Sequence, residues 1–208
     1  MSKTTLYYVH DPMCSWCWGF RKTWQQVKQQ LPAEIELQYL LGGLASDSEV
    51  AMPQELQTTL QQTWQQIQQR IPGTEFNFDF WTDCKPRRST YPACRAVIAA
   101  QSQGAEFEEA MILAIQEAYY LHAQNPSDDD TLIQLARDLK VDIKTFTTDL
   151  NAEQTQATLK QEMQQGQSIG ARGFPSVVME QNNQLTQIAI DYNNPEAILQ
   201  QIDSAIHR

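Results

Sequence analysis

No stretch of this sequence is apolar for long enough to cross a bilayer. Positive charge is also short. Fifteen lysines and arginines stand against 25 aspartates and glutamates, for a net charge of −10 and a pI near 4.7. That balance argues against nucleic acid or an anionic membrane as the main partner. Histidine is scarce: His10, His122 and His207 include no pair at helical spacing. Of the four cysteines, Cys84 and Cys94 are too far apart to be the second ligand pair of a structural zinc site, so no metal site is expected. Residues 1–5 lack the basic region and apolar core of a secretory leader. With the initiating Met, this predicts a cytoplasmic protein. In that reducing setting, cysteines are catalytic or free rather than structural staples.

What is present centres on Asp11-Pro-Met-Cys14-Ser-Trp-Cys17-Trp-Gly-Phe20. The preceding residues 4–10 are β-branched and aromatic and predict a strand. In residues 21–31, Trp24, Val27 and Leu31 continue from Phe20 at helical spacing. Cys14 therefore falls at a helix N-terminus, where free N–H groups and the peptide dipole favour an anion. A thiolate is such an anion, and it is the nucleophile of disulfide exchange. Cys17 lies one turn further in, within reach of Cys14.

Residues 34–41 alternate and end at Gly42-Gly43, predicting a second strand and a right-handed βαβ unit. Residues 52–165 then read as helices. Leu56, Leu60, Trp64, Ile67 and Ile71 form one stripe, and the paired glutamines between them read as a solvated face. Further helices are expected at 93–100, from Phe107 to Tyr119, around Leu132 to Leu139, at 143–150 and at 152–163. The one expected strand in this block is 76–80. Asp128-Asp129-Asp130 precedes a helix and is expected to cap it rather than to bind metal. Strands return at 176–180 and 184–190, joined by a tight turn at Asn182-Asn183, and Pro195 opens a last helix. The fold class is α/β: a thioredoxin-like fold (βαβ…ββα) at 1–51 and 166–208, with an all-helical insertion domain at 52–165.

Gly173-Phe174-Pro175 sits at the start of the third strand, where a proline gives up one N–H without breaking the ladder. Beside a Cys-x-x-Cys, a cis Phe174–Pro175 bond is expected, leaving the Phe174 backbone free to pair with a bound chain.

Three motifs carry a resemblance: residues 11–20, Tyr91-Pro-Ala-Cys-Arg-Ala-Val97 and Gly170-Ala-Arg-Gly-Phe-Pro-Ser-Val177. Together they resemble the DsbA-like thiol oxidoreductases, in particular the cytoplasmic disulfide isomerases among them. The resemblance implies Cys14 as nucleophile, Cys17 as resolving thiol, a cis-proline at Pro175 and a helical domain capping the site. Two departures stand out. Ser15-Trp16 replaces the Pro-His of periplasmic oxidants, and Tyr8 occupies the strand position where many thioredoxin-fold enzymes carry a buried acid. Proton transfer to Cys17 must then use Asp11, His10 or water. Without a dipeptide histidine the pair is expected to be a weak oxidant, roughly −200 to −270 mV.

The expected activity is thiol–disulfide oxidoreduction on protein or peptide disulfides. Phe174, Trp16 and Trp18 are the candidate substrate contacts, and glutathione is the candidate redox partner, with no other cofactor. Trp16 is expected to face outward, whereas Trp18 is also a core candidate. The rival reading, on the same resemblance, is a glutathione-dependent isomerase or a kappa-class-like glutathione transferase. Those carry a serine where Cys14 stands. A third is chaperone-like binding without turnover. Cys94 is expected to be core. Cys84 is expected to be free and exposed, with Lys85, Arg87 and Arg88 placed to lower its pKa; a redox bridge between Cys84 and Cys94 is the alternative.

Overall fold

Strand β1 (Thr4–His10) is buried along its whole length, and its period-two pattern divides two cores. The structure, a computed structural model, describes residues 4–207; Met1–Lys3, on which the leader reading partly rests, lie outside it. Leu6 and Tyr8 pack with Phe20, Trp24 and Val27 of α1 (Ser15–Gln29). Tyr7 and Val9 pack on the opposite side with Leu40, Val178 and Ile169. β1 pairs in parallel with β2 (Ile35–Leu41), Leu6 opposite Leu37. On its other edge it pairs antiparallel with β3 (Ser176–Gln181), Leu6 opposite Met179. β4 (Gln184–Ile188) completes a mixed sheet of order β2-β1-β3-β4.

The hairpin turn places Asn182 and Asn183 at φ 52° and 61°, a conformation asparagine tolerates well. The strand expected at 184–190 stops at Ile188. Beyond it, the N–H and carbonyl of Ala189 are taken by the Gln201 side chain of α9 (Pro195–Ile206) instead of a neighbouring strand. Helix α1 likewise stops before Leu31, because Pro32 disfavours helical backbone in the residue ahead of it.

Between the sheet halves run α2 (Gln54–Arg70), α3 (Phe80–Asp83), α4 (Tyr91–Gln101), α5 (Glu106–Tyr120), α6 (Asp129–Asp138), α7 (Ile143–Leu150) and α8 (Glu153–Ser168). Their core is aromatic: Trp64, fully buried on α2, lies 4.9 Å from the Phe76 ring and 5.6 Å from Phe78. Tyr119 and Tyr120 close the cluster from α5.

The strand expected at 76–80 is absent. The Asn77 N–H and side-chain amide donate to the carbonyls of Tyr120 and Leu121, at 2.6 and 3.2 Å. The alternating phenylalanines thus plug the space around Trp64, and the backbone satisfies itself on the end of a helix. The aspartates before α6 also behave differently from a simple cap. Asp128 makes no capping bond and instead accepts from Arg87 at 2.6 Å, while Asp129 accepts from Asn151. Among the described residues, no helix is long and apolar enough to cross a membrane.

Candidate active site

The turn between β1 and α1 is built on Asp11. Its backbone carbonyl accepts from the Cys14 N–H at 3.0 Å, and its side chain accepts from the Met13 N–H at 2.8 Å. The carboxylate also accepts from the Leu44 N–H and the Thr90 hydroxyl, each at 2.7 Å, and the Cys94 thiol lies 3.5 Å away. One fully buried side chain therefore ties together the β1–α1 turn, the segment after β2 and the start of α4. Burial pushes its carboxyl up, and these four contacts pull it back.

Cys14 is the N-cap of α1, and its carbonyl accepts the first helical bond, from Trp18 N–H at 3.0 Å. Its thiol donates to the Phe174 carbonyl at 3.5 Å. That carbonyl belongs to the cis Phe174–Pro175 peptide of the loop ahead of β3, so this loop lies beside the helix N-terminus. The loop can come this close because residue 42 is glycine: a Cβ there would sit 1.9 Å from the Phe174 ring. Cys17 lies within hydrogen-bonding reach of Cys14 and is almost fully buried. Its thiol is pushed well above the ordinary value, first by burial and then by Cys14. All four cysteines are free.

Cys14 opens onto a groove of about 550 Å³ between the sheet end and the helical block. Trp16, Leu60, Tyr119, Met163 and Phe174 supply apolar wall. Arg87, Arg88 and Arg172 supply charge, and none of the chain's 25 acidic residues lines it. Arg87 is committed to Asp128 and to the carbonyls of Ser127 and Ser48. Arg88 and Arg172 are exposed and make no ion pair among the described residues.

The other expected site residues divide. Trp16 is half-buried at the groove, packed on Tyr192 at 5.2 Å with the Arg70 guanidinium over its ring. Trp18 does not line the groove. Two positions along the helix it turns into the interior, stacks on Tyr120 at 5.5 Å and donates to the Glu75 carbonyl. His10 does not face the groove. It is buried, stacked on Tyr8 at 5.1 Å, and burial holds its imidazole down at about 3. Cys84 reverses its expectation. Its thiol is pushed up, by burial and then by Asp128 and Asp83, and it donates to the Ala123 carbonyl at 3.0 Å. The neighbouring Arg87 spends its charge on Asp128, which is why the nearby cations do not acidify it. Cys94 is core on α4.

Sequence reasoning missed Arg88 and Arg172 as groove residues. Their signal was a run of cations and a lone arginine beside Gly-Phe-Pro in an otherwise acidic chain. It missed Glu162 as well, whose carboxylate accepts from the Leu41 N–H at 2.8 Å, one residue before Gly42. Burial pushes Glu162 up to about 7. The folded state therefore holds an extra proton between about pH 4.5 and 7, and this contribution to stability is lost as pH rises through 7. Glu162→Gln removes that loss. It should raise the unfolding free energy by about 1–2 kcal/mol at pH 8, a value discounted for partial exposure. At pH 5 it should change little. Urea titrations at the two pH values check this, and an equal change at both would refute it.

The profile of a thioredoxin family, Thioredoxin_5, matches residues 7–201. The chain belongs to this family, on its DsbA-like side. Among solved structures it is similar to a candidate protein disulfide isomerase from Nitrosomonas europaea. The two are 26% identical with a TM-score of 0.84, over 99% of this chain and 98% of the other. It also has the fold of DsbM, a cytosolic disulfide reductase from Pseudomonas aeruginosa, at 21% identity and a TM-score of 0.77, over 98% of each chain. DsbM has also been solved with GSH. Among curated proteins, the ClpXP adapter protein SpxH of Bacillus subtilis is 24% identical over 159 residues, 76% of this chain and 52% of SpxH. SpxH of Halalkalibacterium halodurans is 22% identical over 86% of this chain and 59% of the relative. The chain thus spans between half and three fifths of the curated relatives it matches. In this chain the Cys14-Ser-Trp-Cys17 motif sits at the helix N-terminus beside the Phe174-Pro175 loop.

Proposed function

We propose that the chain is a thiol–disulfide oxidoreductase with Cys14 as nucleophile and Cys17 as resolving thiol. The observation that carries this reading is that Cys14 lines the groove whereas Cys17 lies behind it. The Cys14 thiolate attacks one sulfur of a disulfide, and the other sulfur leaves as a thiolate and takes a proton from water. Cys17 then attacks Cys14 Sγ. This releases the second substrate sulfur and leaves a Cys14–Cys17 disulfide, which a small thiol such as glutathione reduces. Run in reverse, the oxidised pair introduces a disulfide. The Phe174 backbone and the Trp16 ring position the partner chain. The compartment in this reading is the cytoplasm, supported by the cytosolic description of DsbM.

The groove's charge narrows the substrate. Two unpaired guanidinium groups and no carboxylate favour a disulfide that itself carries carboxylates, as glutathione disulfide does. The test compares glutathione disulfide with uncharged hydroxyethyl disulfide, with a dithiol such as dithiothreitol in place of glutathione as the recycling reductant, so that each turnover reduces one substrate disulfide and oxidises one dithiol. Arg88→Ala with Arg172→Ala should lower kcat/KM for the charged substrate by roughly two- to thirtyfold, at about 0.2–1 kcal/mol per exposed ion pair, and leave the neutral one unchanged. Cys14→Ser should abolish turnover of both. Wild-type protein that turns over neither sinks the redox reading, and equal losses on both substrates sink the role of the arginines.

The direction follows from the dipeptide. The Ser15 hydroxyl accepts from Trp64 Nε1 at 3.2 Å, and Trp16 is packed on Tyr192, so neither brings a positive charge to Cys14. A potential of roughly −200 to −270 mV, suited to reduction, is expected from equilibration with graded glutathione buffers. A value near −120 mV would refute it.

The SpxH matches favour a second reading, an adapter that binds without turnover. A Cys14→Ser variant that kept full cellular function would support it. The glutathione-dependent isomerase reading shares the cationic groove but leaves Cys17 without a role.

A further inference from the structure

The two thiols of the pair open onto different cavities. Cys14 lines the groove, and Cys17 lines a second cavity of about 220 Å³ behind α1; the two share no lining residue. The arrangement matters at one step. Once a substrate sulfur is bound to Cys14, the groove is filled on the side that Cys17 already fails to reach. Cys17 must still lose its proton to become the attacking thiolate, and burial makes that proton hard to remove.

The second cavity contains what such a step needs. His10 reaches it from β1, and both of its ring nitrogens are buried with no hydrogen-bond partner among the described residues. Arg21 Nε, from α1, is buried and unpartnered in the same way. Buried polar groups are rarely left unpaired, and a cavity with several polar partners is where water resides. Other ionisable groups face His10 as well: Tyr8 beside it on β1, Tyr39 on β2, and Lys28 of α1 paired with Glu109 of α5. Burial keeps both tyrosines protonated, so Tyr8, whose hydroxyl lies within hydrogen-bonding reach of the Cys17 thiol, is a neutral neighbour and no base; the Lys28–Glu109 pair is the more exposed end of the cavity. The imidazole stays neutral, so one ring nitrogen donates while the other accepts. Asp11 is a poor competitor for this task, since its carboxylate already takes Met13, Leu44, Thr90 and Cys94.

Resting on the redox reading above, we infer that Cys17 exchanges its proton with solvent through this rear cavity, with His10 as the positioning residue that holds the water beside it. In the resolution step the Cys17 thiol gives its proton to cavity water. The thiolate attacks Cys14 Sγ, the bond from Cys14 to the substrate sulfur breaks, and that sulfur leaves into the groove as a thiolate and is protonated there. Entry of substrate and exit of the proton are thereby separated.

The experiment mixes reduced protein with 5,5′-dithiobis(2-nitrobenzoate), whose chromogenic thiolate is released in two phases. The first reports Cys14 attack and the second Cys17 resolution. His10→Phe removes both nitrogens, and Ala110→Phe fills the cavity from the α5 wall without touching His10. Each should slow the second phase by at least about tenfold, shift its pH profile to higher pH and leave the first phase unchanged. His10→Gln, which still hydrogen-bonds, should recover most of the rate and the wild-type profile. A second phase unchanged in His10→Phe and Ala110→Phe overturns the inference, as does a slowed phase with an unshifted pH profile. Should His10→Phe fail to fold, Ala110→Phe alone decides. Wild-type protein lacking even the first phase would overturn the redox reading itself, a separate outcome.

Discussion

Replacing Cys17 with serine should stop turnover and load the protein with substrate in near-stoichiometric mixed disulfides. The expectation comes from the separation of the two thiols. Cys14 faces the groove, so its attack does not depend on the sulfur at position 17. Once the mixed disulfide has formed, Cys17 is the internal thiol within hydrogen-bonding reach of Cys14. A serine hydroxyl does not exchange with disulfides, so the intermediate waits for an external thiol. Cys14→Ser should capture nothing, and the double variant should behave like Cys14→Ser. Non-reducing gels and intact mass after incubation with glutathione disulfide read the adduct directly, as a mass increase that a reductant reverses. Equal trapping in both single variants would mean that the two thiols are interchangeable, against their placement on separate cavities. The experiment also separates enzyme from adapter, because an adapter that binds without turnover gives no covalent adduct in either variant.

The strand–Cys-x-x-Cys–helix unit and the helical run that follows were legible because periodicity there is local. Leu6 and Tyr8 alternate on a strand, and Phe20, Trp24 and Val27 recur on a helix, as their shared core records. The hairpin was legible because Asn182-Asn183 states its own backbone preference. What escaped depends on contacts far apart in sequence. Phe76, Phe78 and Phe80 carry the pattern of a strand, but their partner is Trp64 and their backbone bonds go to the end of α5. Cys84 looked acidic from its neighbours, yet the charge of Arg87 is spent on Asp128, 41 residues further on. Trp18 was read both as a substrate contact and as core, and its place on α1 turns it toward Tyr120. The groove's charge was invisible for the same reason, since Arg88 and Arg172 meet only in the folded chain.

Loss of Asp11 should cost both the fold and the site. It is fully buried, and its carboxylate satisfies the N–H groups of Met13 and Leu44 and the hydroxyl of Thr90. Asp11→Ala leaves the two N–H groups without an acceptor, at about 1–3 kcal/mol each. Thr90 loses less, because its hydroxyl also lies 3.4 Å from the Ala45 carbonyl. Relief from burying a carboxylate offsets part of the loss, since burial already disfavours its charge. A net destabilisation of roughly 2–5 kcal/mol is a large share of the 5–15 kcal/mol that usually holds a domain together. For a chain of this size that lowers Tm by roughly 5–15 °C. Function should fall with it, because the same carboxylate fixes the turn that presents Cys14 and the segment carrying Gly42 beneath Phe174. Below its lowered Tm, Asp11→Ala should slow the first, Cys14-dependent phase of disulfide exchange. The pH profile of the second phase should stay as in wild type. A shifted second-phase profile with an unchanged first phase would make Asp11 the proton acceptor for Cys17 and end its role as an anchor.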